Sequence, residues 1–169
     1  MAQKITPCLW FEKDCEEAMN YYVKVFNEAP RSRKNSKINW ILRYEKGIET
    51  PGAAEMQGKV LTGDFELDGQ RHIALDGGPI FKFNEAISLE VDCRDQEEVD
   101  YFWSKLSAVK ESEQCGWCKD KFGLSWQVIP TRLGELLLDP DRVKAHRVAN
   151  VMLEQHKIVI SELEAAAKG

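Results

Sequence analysis

The sequence lacks long apolar runs, a basic excess and low-complexity tracts, and each absence excludes a class of protein. No apolar segment approaches the ~20 residues that cross a bilayer, and the first residues lack the apolar core of a signal peptide. Acidic residues outnumber basic ones, 28 to 23, which argues against a nucleic-acid partner. Hydrophobic residues make up 43% of the chain, which is typical of a folded protein. We expect a cytoplasmic protein that binds neither membranes nor nucleic acid.

Cysteine number and chain length both bear on how the fold is stabilised. The five cysteines are an odd number, and in an acidic chain without an export signal we interpret them as reduced thiols. The chain has 169 residues. A chain of about that length buries roughly 68–70% of its unfolded surface, so we expect it to fold without disulfides or metal. We therefore expect one domain over residues 1–169.

The first 78 residues predict one strand, one helix and three further strands. Asp14 is expected to accept hydrogen bonds from the first turn of the helix, with Glu17 completing a capping-box pattern, and Pro30 ends the helix. Asp68-Gly69 is a strong hairpin-turn signal. The predicted elements are a strand over 5–11, the helix, a strand over 38–44, a loop over 45–58, and strands over 59–67 and 70–76.

The same order of patterns returns in the second half of the chain. It predicts a strand over 86–93, a helix opened by Asp95 and Glu98, and strands over 111–119 and 124–130. We interpret this as an internal duplication: an α+β fold with two pseudo-symmetric β-α-β-β-β modules forming a cupped mixed sheet. Module 1 is expected at about 1–78, module 2 at about 79–132, and a helical tail at 133–169. Within the tail, Asp139-Pro140 and the pair Ser161 and Glu164 predict two helix starts.

Four stretches carry a resemblance to a known superfamily. They are ITPCLWF at 5–11, LDGGP at 75–79, CGWCKDKFGLSWQVIP at 115–130 and DPDRVKA at 139–145. Together with the duplicated module, they resemble the vicinal oxygen chelate superfamily of glyoxalases, bleomycin-resistance proteins and extradiol dioxygenases. The closer resemblance is to its PhnB-like branch, often labelled 3-demethylubiquinone 3-methyltransferase-like. The chain has no glycine-rich loop after its first strand, so we do not expect methyl transfer from S-adenosylmethionine.

The resemblance implies where a metal ion is held in those members that use one. Their ligands are His, Gln or Glu from four strands, and the corresponding positions here are Thr6, Ala74, Ala86 and Gln127. The two alanines supply no donor atom, and the threonine and glutamine supply only neutral ones. We therefore expect neither a metal nor another cofactor.

Strand alternation predicts which side chains line the cup, since successive residues face opposite ways. The lining set is Thr6, Cys8 and Trp10; His72, Ala74 and Asp76; Ala86, Ser88 and Glu90; Ser125 and Gln127. The alternate residues are apolar and are expected to pack under the two helices: Ile5, Leu9 and Phe11; Ile87, Leu89 and Val91. The predicted ligand pocket comprises Thr6, Cys8, Trp10, Trp40, Ala74, Ser88, Ser125 and Gln127. Glu90 and His72 are the candidates for proton transfer.

Structural roles compete with these functional ones. His72 is alternatively a partly exposed strand histidine, Glu90 a carboxylate paired with a lysine or arginine, and each tryptophan a core side chain. The pair Cys115 and Cys118 matches C-x-x-C, but its strand or turn pattern lacks the helix N-terminus that activates redox thiols.

These observations predict a PhnB-like protein that binds a small organic molecule in a cupped pocket without a metal. One alternative is a metal-dependent or metal-independent lyase, isomerase or dioxygenase-type enzyme of the same superfamily. Another is a non-catalytic sequestering protein like the bleomycin-resistance proteins. Similar proteins are usually homodimers, so we expect a homodimer.

Overall fold

The structure is a computed structural model, and it describes residues 4–47 and 56–169. The chain divides into two compact units, Met1–Phe83 and Asn84–Gly169. The predicted α+β class is confirmed, with a four-stranded and a three-stranded mixed sheet and helices at the C-terminus. None of the described helices is long and apolar enough to cross a membrane.

The first unit follows the predicted order of elements. They are β1 Cys8–Phe11, α1 Cys15–Glu28, β2 Lys37–Arg43, β3 Val60–Leu67 and β4 Gln70–Asp76. The sheet order is β1-β4-β3-β2, with β1 parallel to β4 and the other pairs antiparallel. Asp68 and Gly69 both have positive φ, 46° and 87°, as a type I′ hairpin turn requires. The predicted loop at 45–58 falls largely on residues 48–55, which lie outside the described residues.

Helix α1 covers one face of the first sheet. Tyr22 stacks on Phe65 with ring centroids 6.4 Å apart, and Phe65 stacks on His72 at 5.2 Å. A Cβ at Gly63 would lie 2.7 Å from the Met19 methyl carbon, so the glycine lets the helix approach β3 closely. The buried residues of the helix recur at spacings of three and four and form its apolar stripe: Cys15, Ala18, Met19, Tyr22 and Val25.

In each unit a helix follows the first strand, and the N-termini of these two helices are capped differently. Asp95 caps the second one as predicted, since its carboxylate accepts a hydrogen bond from the Glu98 N–H at 3.1 Å. The cap predicted for Asp14 is wrong, because its side chain makes no such bond. Instead the Asp76 Oδ1 accepts from the Cys15 N–H at 2.9 Å, so the first helix is capped from the end of β4.

The second unit has one strand fewer than the predicted module. Its elements are β5 Leu89–Cys93, α2 Gln96–Leu106, a 3₁₀ turn Lys110–Ser112, β6 Trp117–Lys119, β7 Ser125–Pro130 and tail helices α3 Thr131–Leu137, α4 Arg142–Glu154 and α5 Ile160–Lys168. The sheet order is β5-β7-β6, with β5 parallel and β6 antiparallel to β7. The first half of the strand predicted at 111–119 is wrong, because Cys115 and Gly116 have positive φ and form a tight turn closed by Gln114 and Trp117.

Both predicted helix starts in the tail are displaced. The Asp141 carboxylate, and not that of Asp139, accepts from the first-turn N–H groups of α4. Ser161 lies inside α5, whose first N–H at Ile160 donates to the Gln96 Oε1 at 2.9 Å. The tail helices pack around one apolar cluster: Leu133, Leu136, Val148, Ile158 and Leu163.

A buried aspartate holds the turn between β6 and β7. The Asp120 Oδ2 accepts from the Trp126 indole N–H at 2.7 Å. Its Oδ1 accepts from the N–H groups of Phe122 and Leu124, at 2.8 and 3.1 Å. The turn in the stretch KDKFGLSWQ is therefore built on one carboxylate that accepts three hydrogen bonds.

We predict that Asp120→Asn lowers the free energy of unfolding by about 2 kcal/mol, because the amide nitrogen leaves a buried donor without its acceptor. Urea denaturation measures the change. Asp92→Asn, on the exposed face of β5, is the matched control and is expected to change stability by less than about 0.5 kcal/mol. Equal stability of Asp120→Asn and the parent would contradict this role.

Candidate functional site

The register of β1 and β4 decides which side chains of the first sheet lie under α1. Leu9 pairs with Ala74 and Phe11 with Asp76, and all four are buried. The Asp76 bond to the Cys15 N–H places this face against the helix. The alternate residues lie on the opposite face, which we call the first open face: Cys8, Trp10, Trp40, Leu42, Thr62, Asp64, Glu66, Arg71, Ile73 and Leu75.

The prediction that His72, Ala74 and Asp76 line the cup is wrong, because β4 turns this set of side chains toward α1. His72 is 4% exposed and stacks on Phe65. Burial lowers the pKa of its imidazole, while a contact to the Gln70 carbonyl raises it. Burial also raises the pKa of the Asp76 carboxyl. Ile73 and Leu75 take the places predicted for these side chains.

Two further expectations about buried residues are wrong. Ile5 and Ile87, expected under the helices, are 84% and 77% exposed. Each precedes the strand to which it was assigned, since β1 begins at Cys8 and β5 at Leu89. Ala86 is exposed in a turn, where its N–H donates to the Asn84 side chain.

The first open face is mainly apolar. Trp40 and Leu42 are each 46% exposed. The Trp10 indole N–H donates to the Gly78 carbonyl at 3.0 Å, and Cys8 is exposed. Predicted pocket residues Cys8, Trp10 and Trp40 therefore share this face, while Thr6 lies half-buried just before β1.

One buried charge lies among these apolar side chains. The Asp64 carboxylate forms an ion pair with the Arg71 guanidinium and accepts from the Asn39 amide at 2.6 Å. The pair compensates the buried carboxylate. Trp40, Leu42, Cys8 and the Arg71 side chain are the exposed groups of the first open face.

The side of the second sheet opposite α2 is polar around Glu90 and Gln127, while Ile129 on the same side packs against the apolar cluster of the tail helices. Across the three strands, Glu90 pairs with Gln127, and Gln127 pairs with Trp117. A neighbouring row pairs Ser125 with Lys119. We call Glu90, Trp117, Lys119, Ser125 and Gln127 the second open face. The alternate residues Val91, Trp126 and Val128 are buried.

Three predicted pocket residues carry polar side chains on this side of the second sheet, and two of them are in contact. The Gln127 amide nitrogen donates to the Ser88 hydroxyl at 2.8 Å, which leaves the amide oxygen as an acceptor. Ser125 is 1% exposed. Among the described residues, its hydroxyl has no hydrogen-bond partner. Such a buried hydroxyl costs about 1–3 kcal/mol unless a ligand or water satisfies it.

On this face the lysine is held in an ion pair, whereas the two carboxylates of β5 are exposed to solvent. The Lys119 ammonium forms an ion pair with Glu85, and that pairing lowers the pKa of the Glu85 carboxyl. Glu90 and its strand neighbour Asp92 are exposed. Glu90 is thus a solvated carboxylate next to Gln127, as the functional prediction placed it, whereas His72 lies in the core of the first unit.

The donors at the implied metal positions do not fit a metal ion. Ala74 faces α1, Ala86 lies in a turn, and Gln127 is hydrogen-bonded to Ser88. Across residues 4–47 and 56–169, no group of three or more His, Cys, Asp or Glu side chains is placed to hold a metal.

The C-x-x-C pair is not placed for thiol chemistry. Burial raises the pKa of Cys118 to about 12, so its thiolate is scarce at neutral pH. Cys115 lies in the tight turn before β6. The pair therefore belongs to the turn and the core beneath it.

A separate cleft of about 440 Å³ lies where the tail meets α2. It is lined by Arg94, Asp95, Gln96, Arg132, Val159, Ile160, Ser161 and Glu164. The Arg132 guanidinium already pairs with Glu135 and Glu164. Its charge is thus neutralised by its own neighbours.

Sequence reasoning left two members of the second open face, Trp117 and Lys119, out of the predicted pocket. Both lie on β6, which has only three residues. The glycine of the Cys115-Gly116 pair was a usable turn signal, since Gly116 takes a positive φ. A turn at this position predicts that a new strand begins just after it, at Trp117.

Comparison with known proteins identifies relatives. A family model described as 3-demethylubiquinone-9 3-methyltransferase matches residues 3–129. A Bacillus cereus protein described as a 3-demethylubiquinone-9 3-methyltransferase, PhnB protein, is 35% identical, with a TM-score of 0.60, over 76% of this chain and 100% of its own. A Pseudomonas aeruginosa protein, 18% identical with a TM-score of 0.56 over 76% of this chain and 98% of its own, shares the fold. No curated protein matches. The family match ends before the three tail helices.

We predict that His72 makes stability pH-dependent. Because its pKa is lowered in the folded state, the unfolded chain binds the proton first, and stability falls as the pH drops below about 6.5. His72→Phe keeps the stacking and removes the proton, so it should lose less stability than the parent between pH 7 and pH 5. Urea unfolding across this range measures the difference.

His146→Gln, at an exposed position of α4, is the control for removing one imidazole. Between pH 7 and pH 5 it should lose as much stability as the parent does. If His72→Phe loses as much stability as the parent, His72 is not the buried group responsible.

Proposed function

We propose that this chain, which belongs to the 3-demethylubiquinone-9 3-methyltransferase family and its PhnB-like branch, binds a small organic molecule without a metal ion. The binding surface is the second open face with Ser88 at its edge. The observation that carries the proposal is the buried Ser125 hydroxyl, which lacks a hydrogen-bond partner among the described residues.

The chemistry of this face suits a ligand with both polar and flat apolar parts. Gln127 is oriented by its bond to Ser88 and presents a carbonyl oxygen. Trp117 is half-buried beside it and supplies an aromatic surface. A few fixed polar groups next to an aromatic wall are typical of small-molecule sites.

Methyl transfer is not part of the proposal. Binding of S-adenosylmethionine usually needs a glycine-rich loop after a first strand. Here β1 is followed by Glu12, Lys13 and Asp14, and then directly by α1. The chain between that strand and helix offers no glycine to approach a cofactor closely.

Proton transfer by a Glu90–His72 pair is not part of the proposal either. Glu90 is exposed on the second sheet, while His72 is a core residue packed against Phe65. Sequestration is therefore favoured over acid–base catalysis. The homodimer and the cytoplasmic location remain expectations from the family resemblance and the composition, and light scattering of the purified protein tests the dimer.

We predict that Ser125→Ala separates stability from binding. Removing an unpartnered buried hydroxyl should raise the thermal midpoint of the free protein. The same change should reduce the additional increase in thermal midpoint that a bound compound causes. A metabolite library screened by thermal shift in the presence of EDTA, followed by titration of each hit, measures both effects.

Ser104→Ala, on the exposed side of α2, is the matched control and should bind as the parent does. Gln127→Ala should weaken binding as well, because it removes the acceptor and the bond to Ser88. Hits that bind Ser125→Ala and Gln127→Ala as tightly as the parent, or a library without hits, would contradict the proposal.

A further inference from the structure

We infer that the ligand of the second open face carries a protonated amine. This rests on the proposed function and specifies the ligand class. The inference comes from two exposed carboxylates, an amide oxygen that can accept a hydrogen bond and an aromatic ring on one side of the sheet, where Lys119 is already paired with Glu85.

The charge of this face favours a cation. Glu90 and Asp92 alternate on β5 and are both exposed, so their carboxylates point to the side of the sheet that carries Gln127. Lys119 is the cation of this face, and its ammonium is held by Glu85. An incoming cation finds two carboxylates that form no ion pair with any residue in the described part of the chain, whereas an anion has to displace Glu85 from Lys119.

The neutral groups of this face suit a hydrogen-bond donor. The Gln127 amide nitrogen donates to Ser88, and the amide oxygen is left as an acceptor. The Ser125 hydroxyl can donate or accept a hydrogen bond and lacks a partner among the residues described. A primary ammonium has three N–H donors and no acceptor. It can therefore donate to the Gln127 amide oxygen and to the Ser125 hydroxyl, which lie in adjacent rows of the sheet.

The position of Trp117 also suits a cation. It pairs with Gln127 across β6 and β7, and Gln127 pairs with Glu90 on the other side. Directly paired side chains lie about 4.5–5.5 Å apart at their Cβ atoms. A cation bound near Gln127 is therefore within reach of both the Glu90 carboxylate and the indole ring, and tryptophan is the best ring for such contacts.

Three probes of similar shape and different charge test this inference: 2-phenylethylamine, 2-phenylethanol and 3-phenylpropionate. Amide chemical shifts of the full-length protein locate each probe, and titration gives its affinity. We expect the amine to bind at least tenfold more tightly than the carboxylate, with the largest shifts at residues 90, 117 and 127.

Glu90→Gln keeps the shape of the side chain and removes its charge, so it should weaken amine binding by about fivefold and leave the alcohol unaffected. Glu97→Gln, an exposed carboxylate on α2, is the matched control and should change neither.

Each contrary outcome overturns the inference in a recognisable way. If the alcohol or the carboxylate binds this face as tightly as the amine, the amine inference fails while the proposed binding function stands. Amine shifts located elsewhere on the protein, or equal affinities of Glu90→Gln and the parent, likewise contradict it. If none of the three probes binds, the inference fails and the proposed site loses its support.

Discussion

Parallel pairing between the first and last strand of each unit is the constraint on which the candidate site depends. β1 lies beside β4 and β5 beside β7, with one helix following the first strand in both units. That helix packs on one face of its sheet, and alternation along the strands leaves the other face open. This pairing occurs in both units, which agrees with the repeated sequence pattern that we interpreted as a duplication.

The two open faces that result differ in chemistry. The first presents Trp40 and Leu42 around the buried Asp64 carboxylate, which is paired with the exposed Arg71. The second presents Glu90, Gln127 and Trp117 beside a buried hydroxyl without a partner among the described residues. The two units share the parallel pairing of their first and last strands, and the side chains on their open faces differ. The family match and the shared fold support the framework, and the side chains support the proposed ligand.

Local patterns predicted the elements well, and long-range contacts decided where they failed. β4 was predicted with its observed bounds, because a clear turn precedes it and glycines follow it. Asp14 and Asp95 look equivalent in the sequence, yet Asp95 caps its helix while Asp76 accepts from the first helix across 61 residues. In β4, alternation was correctly predicted but its direction was not, because the choice of face depends on the register with β1. Glu90, Ser125 and Gln127 were placed on one face correctly, since both strands that carry them alternate cleanly.

The central claim is that the second open face binds an organic molecule through side chains and not through a metal. The most direct measurement is a crystal structure of protein purified from its own host without removal of bound compounds. We predict density for an organic molecule against Trp117 and Gln127, with a polar atom satisfying the Ser125 hydroxyl directly or through a water. A metal ion held by side chains, or a compound bound away from this face, would contradict the claim.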